Sequence, residues 1–212
     1  VLASVFTFTL AATLLTITPG LDTMFVIRTV VTSGRRSGLI GGAGISIGVL
    51  AWGVATAVGL SALLVASQLA FDVLRMVGAV YLCSVGARML WRSRHKRTGP
   101  GQLDATGHAV VTGREAFRTG LLTNLLNPKV GVFYVTLLPA FVPHGAPMLG
   151  SCLLLASIHV TLGMIWFALL ALLVGRIRSL LAREAVQRRV EQVTGLAFIG
   201  FGTRLALSLR RA

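Results

Sequence analysis

Acidic residues are scarce in this chain: six Asp and Glu stand against twenty Lys and Arg. Charge of either sign is sparse too, at 12% of 212 residues, while 55% are hydrophobic. With a mean hydropathy of +0.83, that balance excludes an ordinary soluble domain and a disordered one alike. Cysteine is nearly absent. Cys83 and Cys152 lie in or beside apolar runs, without the CxxC or Cys/His spacing of a metal or redox site, so both are expected to pack in a core. No Walker loop is found, which removes the common nucleotide pattern. No enzyme activity, cofactor or metal is expected. The first apolar run lacks a basic n-region and an Ala-x-Ala site, so it reads as a span and not as a signal peptide.

Long apolar runs are what the chain has instead. Its length suits about six spans of roughly 20 residues, read here over residues 2–31, 38–66, 73–91, 116–141, 148–174 and 193–209. The expected fold is all-α and polytopic, one membrane domain over residues 1–212. The longest polar stretch, residues 93–113, reads as a cytoplasmic linker between a first three-helix repeat (1–92) and a second (114–212). His95 and His108 in that linker read as solvated. A basic segment, residues 175–192, carries Ile177, Leu180, Leu181 and Val186 and reads as an amphipathic helix on the membrane surface. In the second span, Gly38/Gly42 and Gly44/Gly48 are small-xxx-small pairs that let helices approach closely; such faces would also permit a homodimer.

The net charge of +14 does not call for nucleic acid, because the basic residues cluster in short segments between apolar runs. One side takes Arg28, Arg35, Arg36, Arg88, Arg92, Arg94, Lys96, Arg97, Arg114, Arg118, Arg176, Arg178, Arg183, Arg188 and Arg189. The other takes Arg75, Arg204, Arg210 and Arg211, and Lys129 falls within a span. The rich side is expected to be cytoplasmic, facing anionic lipids. Both termini are then extracytoplasmic, and three spans per half invert the second half relative to the first.

Two of the runs are interrupted. Thr18-Pro19-Gly20, with Asp22 just beyond, breaks the first; Asn127-Pro128-Lys129 breaks the fourth. Leu14-Leu15-Thr16 precedes the first break and Leu121-Leu122-Thr123 the second. Proline lacks an N–H and clashes with the preceding turn, and backbone groups freed in lipid must find partners or line a cavity. Broken segments at matching places in two halves point to an inverted-repeat transporter whose site lies between the repeats. The broken first and fourth helices are therefore the candidate site, with Thr18, Pro19, Gly20, Asp22, Asn124, Asn127, Pro128 and Lys129 as candidate substrate-binding residues.

Asp22 and Lys129 are the opposite charges nearest the breaks, and charge at membrane depth is costly and usually functional. A carboxylate can receive the ammonium of an amino acid, and a lysine or free helical amides its carboxylate. Asp22 is also the candidate proton carrier. The competing reading is a structural ion pair between the two. Asn124 and Asn127 serve either a ligand or the freed backbone. His159 reads as a satisfied core histidine, with a place in a proton path as the second reading.

Taken together, these stretches resemble the LysE/RhtB-type amino-acid exporters over nearly the whole chain. Thr18-Pro19-Gly20 with Asp22 is similar to the N-terminal signature of that family. Gly34-Arg35-Arg36-Ser37-Gly38, Gly78-Ala79-Val80-Tyr81-Leu82 with Gly86, and Gly195 with Gly202-Thr203-Arg204-Leu205-Ala206 resemble further segments. Asn127-Pro128-Lys129 followed by Leu138-Pro139-Ala140-Phe141-Val142 looks like the second-half signature. One position departs: Leu21 stands where the family usually carries a second proline. The resemblance implies a bacterial inner-membrane secondary transporter that exports amino acids or closely related small metabolites, driven by proton entry. The alternative is a membrane scaffold or assembly factor without transport, for which neither two broken spans nor a buried acid is needed.

Overall fold

The computed structural model describes residues 2–66, 111–143, 145–174 and 184–208, with scattered positions between 73 and 91. The third expected span falls on those scattered positions. Most of the linker (93–110) and the first part of the basic segment (175–183) lie outside the described residues.

The described residues are helical, without strands. Helix α1 (Leu2–Ile17) is apolar, and its threonines do not spoil it. Thr7, Thr9, Thr13 and Thr16 each donate a hydroxyl to the carbonyl four residues back, at 2.7–2.8 Å, so none needs an outside partner. The helix stops before Pro19, and α2 (Leu21–Ala66) restarts at once. Within α2, Gly34 takes φ 85°, ψ 169°, a conformation that costs glycine little. The chain folds back there. A Cβ on Gly38 would lie 2.2 Å from Val30 Cγ2, so the two arms of α2 pack as a hairpin, and the corner falls between the first two expected spans.

Helix α3 (Gly113–Leu125) opens with a capping box, in which Thr112 and Glu115 satisfy each other's orphan N–H groups. It packs closely on α2. After a 51° bend comes α4 (Pro128–Val132), followed by a π turn (Phe133–Leu137) and a 3-10 turn (Leu138–Phe141). The fourth expected span thus has two irregularities beyond its break. Their cause is Pro139, whose ring cannot sit against the carbonyl of Val135 in an α-helix. Helix α5 (Met148–Leu172) crosses beside both halves, and α6 (Glu184–Ser208) closes the described chain. Residues 184–192, expected on the membrane surface, are continuous with the last apolar run in α6, because no breaker separates Gln192 from Val193.

Among the described residues, two helical stretches are long and apolar enough to cross a membrane, Leu21–Gly59 and Met148–Leu172, and the bent pair Gly113–Leu125 with Pro128–Phe141 makes a third. Phe6, Leu10, Val54, Val58, Leu154 and Ile165 are exposed on the outside, as suits a lipid-facing surface. Inside are two apolar clusters. One joins Phe8, Ala12 and Leu15 to Phe133, Tyr134, Leu138, Cys152 and Phe198. The other joins Val26, Ile27 and Val30 to Ile45, Phe167 and Leu170.

Close approach of α2 and α3 depends on missing side chains. A Cβ on Gly44 would lie 2.1 Å from Phe117 O, and one on Gly120 2.1 Å from Gly41 O. Backbone cannot yield cheaply, so Gly44→Val and Gly120→Val are each expected to cost at least ~1–3 kcal/mol. The measurement is the melting temperature of the purified protein in detergent. Gly59, where an added Cβ meets nothing within 4 Å, is the control: Gly59→Ala is expected to hold or raise that temperature, since alanine favours helix by about 1 kcal/mol. An equal fall in all three would refute the packing argument.

Candidate functional site

Pro19 has no N–H to give to the carbonyl four residues back, Leu15 O. Thr18 O is freed as well, because the chain turns before α2 begins. The ammonium of Lys129 takes both, at 2.9 Å from Leu15 O and 3.2 Å from Thr18 O. A cation suits this place, since the C-terminal end of a helix carries partial negative charge. Thr18 itself is buried. Its hydroxyl bonds Leu14 O and shares a 2.7 Å hydrogen bond with the hydroxyl of Thr194 on α6.

The second break is capped from within. Asn127 Oδ1 accepts from Lys129 N at 3.1 Å, with Pro128 at the first position of α4. An asparagine N-cap followed by proline is a favoured helix start, because the proline N–H is not needed there. The amide of Asn127 is left free to point elsewhere, and it donates to Asp22 Oδ1 at 3.3 Å. Asn124 Nδ2 donates to Asp22 Oδ2 at 2.9 Å. Asp22 lies in the first turn of α2, where helix polarity favours an anion.

The two breaks therefore hold each other reciprocally. The acid beside the first is bound by Asn124 and Asn127 around the second, and the lysine of the second is bound by carbonyls of the first. Asp22 and Lys129 line one cavity, yet their hydrogen bonds go to neutral dipoles and not to one another. Thr18, Gly20 and Asn127 line it as well. It encloses about 40 Å³, room for on the order of three waters. Pro19 and Pro128 shape the breaks, and Asn124 reaches the site through Asp22.

Several further residues complete the site. Gly48 makes room for Asn124, since a Cβ there would lie 2.6 Å from Asn124 Oδ1; its spacing to Gly44 marked it only as a packing glycine. Trp52 Nε1 donates to Asn124 O at 3.4 Å. His159 forms part of the cavity wall and is also satisfied: its Nδ1 shares a 3.1 Å hydrogen bond with Tyr134 OH, and the two rings stack at 5.8 Å. Tyr134 and Thr194 had no sequence signal, as each acts through a partner distant in the chain. Ser46 borders the cavity and bonds Gly42 O at 3.0 Å. Thr16 and Thr23 also line it, and its apolar part includes Leu15, Ile45, Val49, Val160 and Phe167.

The sequence profile of the LysE type translocator family matches residues 13–209. The chain is 28% identical over 209 residues to a leucine efflux protein of Enterobacter sp. (strain 638), covering 94% of this chain and 93% of that one. A leucine efflux protein of Klebsiella pneumoniae subsp. pneumoniae is also 28% identical, over 204 residues, with 94% and 93% covered. An uncharacterized membrane protein of Bacillus subtilis (strain 168), YrhP, is 28% identical over 200 residues, with 93% and 95% covered. No solved structure matches. Two helix breaks clasped at one polar cavity thus lie in a chain that belongs to the LysE type translocators, a family of transporters and not enzymes.

Proposed function

We propose that this protein exports apolar amino acids, or closely related small metabolites, from the bacterial cytoplasm in exchange for entering protons. The observation that carries the reading is the reciprocal clasp of two helix breaks by Asp22 and Lys129 at one cavity. A zwitterion needs an anionic and a cationic partner a few ångströms apart, and both are there. The apolar wall of Leu15, Ile45, Val49, Val160 and Phe167 suits a branched or aliphatic side chain. The names of the Enterobacter and Klebsiella relatives agree with such a substrate. Thr18, Pro19, Gly20, Asn124, Asn127 and Pro128 build the site around the two charges.

Asp22 is the proton-coupling group in this reading. Both Asn124 and Asn127 present N–H donors to it. Protonation turns one carboxylate oxygen into a donor, which then faces a donor, so the clasp changes whenever the proton arrives. Asn124 Oδ1 has no hydrogen-bond partner among the described residues; rotation of that amide offers the acceptor that protonated Asp22 needs. Export against a tenfold gradient costs about 1.4 kcal/mol, and a proton entering across 100 mV supplies about 2.3 kcal/mol. One proton per substrate therefore suffices.

The architecture we infer is six spans in two inverted three-helix repeats, in the inner membrane, with both termini extracytoplasmic. Support comes from where the basic residues gather. The Gly34 corner, the start of α3 and the end of α5 meet at one end of the molecule, through Val111 N to Ser33 Oγ at 3.0 Å and Arg35 to Leu172 O at 3.4 Å. Arg28, Arg35, Arg36, Arg114 and Arg118 lie toward that end, which is the cytoplasmic one by the positive-inside rule.

Two outcomes are expected. In inside-out vesicles, wild type should accumulate an apolar amino acid when a pH gradient is imposed. Asp22→Asn should lose at least tenfold of that accumulation while retaining downhill exchange. Asparagine keeps one of the two acceptor contacts, so the cost in stability is about 1 kcal/mol. Full gradient-driven accumulation by Asp22→Asn would remove the residue from coupling and make His159 the next group to test. A reporter active only in the cytoplasm, fused after Ala212, should stay silent; activity there would reverse the orientation.

A further inference from the structure

We propose that Lys129 and Asp22 are tethered stand-ins for the two ends of the substrate. In this structure the ammonium of Lys129 occupies the seat of an α-ammonium, and the carboxylate of Asp22 occupies the seat of an α-carboxylate. This deepens the reading above and rests on it for the identity of the ligand as a zwitterion.

The chemistry of each seat is that of the ligand end it would take. Leu15 O has lost its helical partner to Pro19, and Thr18 O lies beside it; two converging carbonyls at a helix C-terminus make a cation seat. Lys129 fills it, at 2.9 and 3.2 Å. Asn124 Nδ2 and Asn127 Nδ2 converge from the other break and make an anion seat. Asp22 fills it, at 2.9 and 3.3 Å. An alkylammonium and a carboxylate are also the two charged groups of an amino acid. The tethered pair thus gives the site a zwitterion of its own.

A cavity of about 40 Å³ cannot hold an amino acid beside two resident charged groups, so entry displaces them. A zwitterion displaces both without stranding either. Its ammonium takes the carbonyls and gives Asp22 a cation, while its carboxylate takes the amides and gives Lys129 an anion. A ligand with one charge cannot do this. An amine would evict Lys129 and leave that charge at membrane depth with no anion in exchange, which is expensive. Selectivity for the amino-acid backbone follows from this exchange of partners.

The test uses leucine and 3-methylbutylamine, the same side chain without the carboxylate, with binding to purified protein in detergent as the readout. Wild type should bind leucine and bind the amine at least 100-fold more weakly. Lys129→Gln removes the resident charge from the cation seat and leaves at most a neutral amide there, so it should bind the amine at least tenfold more tightly than wild type does, and leucine at least tenfold more weakly. Gain of amine binding supports the stand-in whether or not leucine is bound by wild type. Wild type that binds no amino acid would instead defeat the exporter reading. A folded Lys129→Gln that gains no amine overturns the stand-in while wild-type leucine binding leaves the exporter reading intact. A second measurement avoids any change at the site. Lys96 and Lys129 are the two lysines of the chain, so Lys96→Arg with 15N at lysine Nζ gives one ammonium signal. That signal should shift on leucine binding and stay in place with the same concentration of amine. A signal unmoved by bound leucine would overturn the proposal by itself.

Discussion

A buried carbonyl that has lost its helical partner is the constraint from which the rest of this structure follows. Pro19 creates one at Leu15, and the turn before α2 creates another at Thr18. Both residues are buried, and a buried carbonyl left unpaired is costly. Lys129 satisfies both, which fixes the distance between the two halves of the chain and draws the second break against the first. A lysine near the N-terminal end of α4 is poorly placed for its own helix. It is well placed for α1, so the energetic reason for its position lies in the other half of the molecule.

Asp22 is the counterpart. It belongs to α2 by sequence but is held by Asn124 and Asn127 from the region of the second break. Asn124 can reach it because Gly48 lacks a side chain, so one glycine of the α2 packing face also sets the geometry of the site. The cavity between the breaks is bordered by both apolar clusters: Leu15, Val49 and Val130 belong to one, Ile45 and Phe167 to the other. The polar site is thus the seam between two cores.

Local chemistry was legible in the sequence and pairing was not. Proline, glycine and Asn-Pro mark breaks wherever they occur in apolar runs, so positions 18–20 and 127–129 could be read directly. Asp22 and Lys129 stood out because charge in such a run is rare. Their partners did not stand out. Leu15 and Thr18 contribute backbone oxygens, which any residue has, and the Tyr134–His159 and Thr18–Thr194 bonds join residues far apart in the chain. The expectation that Asp22 and Lys129 pair or face a common cavity did not include what each is bonded to, which is neutral groups of the opposite break. The π turn before Pro139 was hidden for a similar reason. Proline announces that the ladder must yield, but not whether by ending, kinking or widening.

Leu21 shows which part of the break is required. A second proline is usual there in the family that the motifs resemble, and its replacement suggests a softer break. In the structure Leu21 opens α2 and its side chain is exposed. The N–H at the first position of a helix has no intrahelical acceptor, so a proline there would restrict the chain without removing a bond that matters. Pro19 differs in kind. Its missing N–H is the one that Leu15 O would otherwise receive, and that absence makes the seat filled by Lys129. Position 21 can change with little consequence for the site, while position 19 cannot change without giving Leu15 back to its own helix.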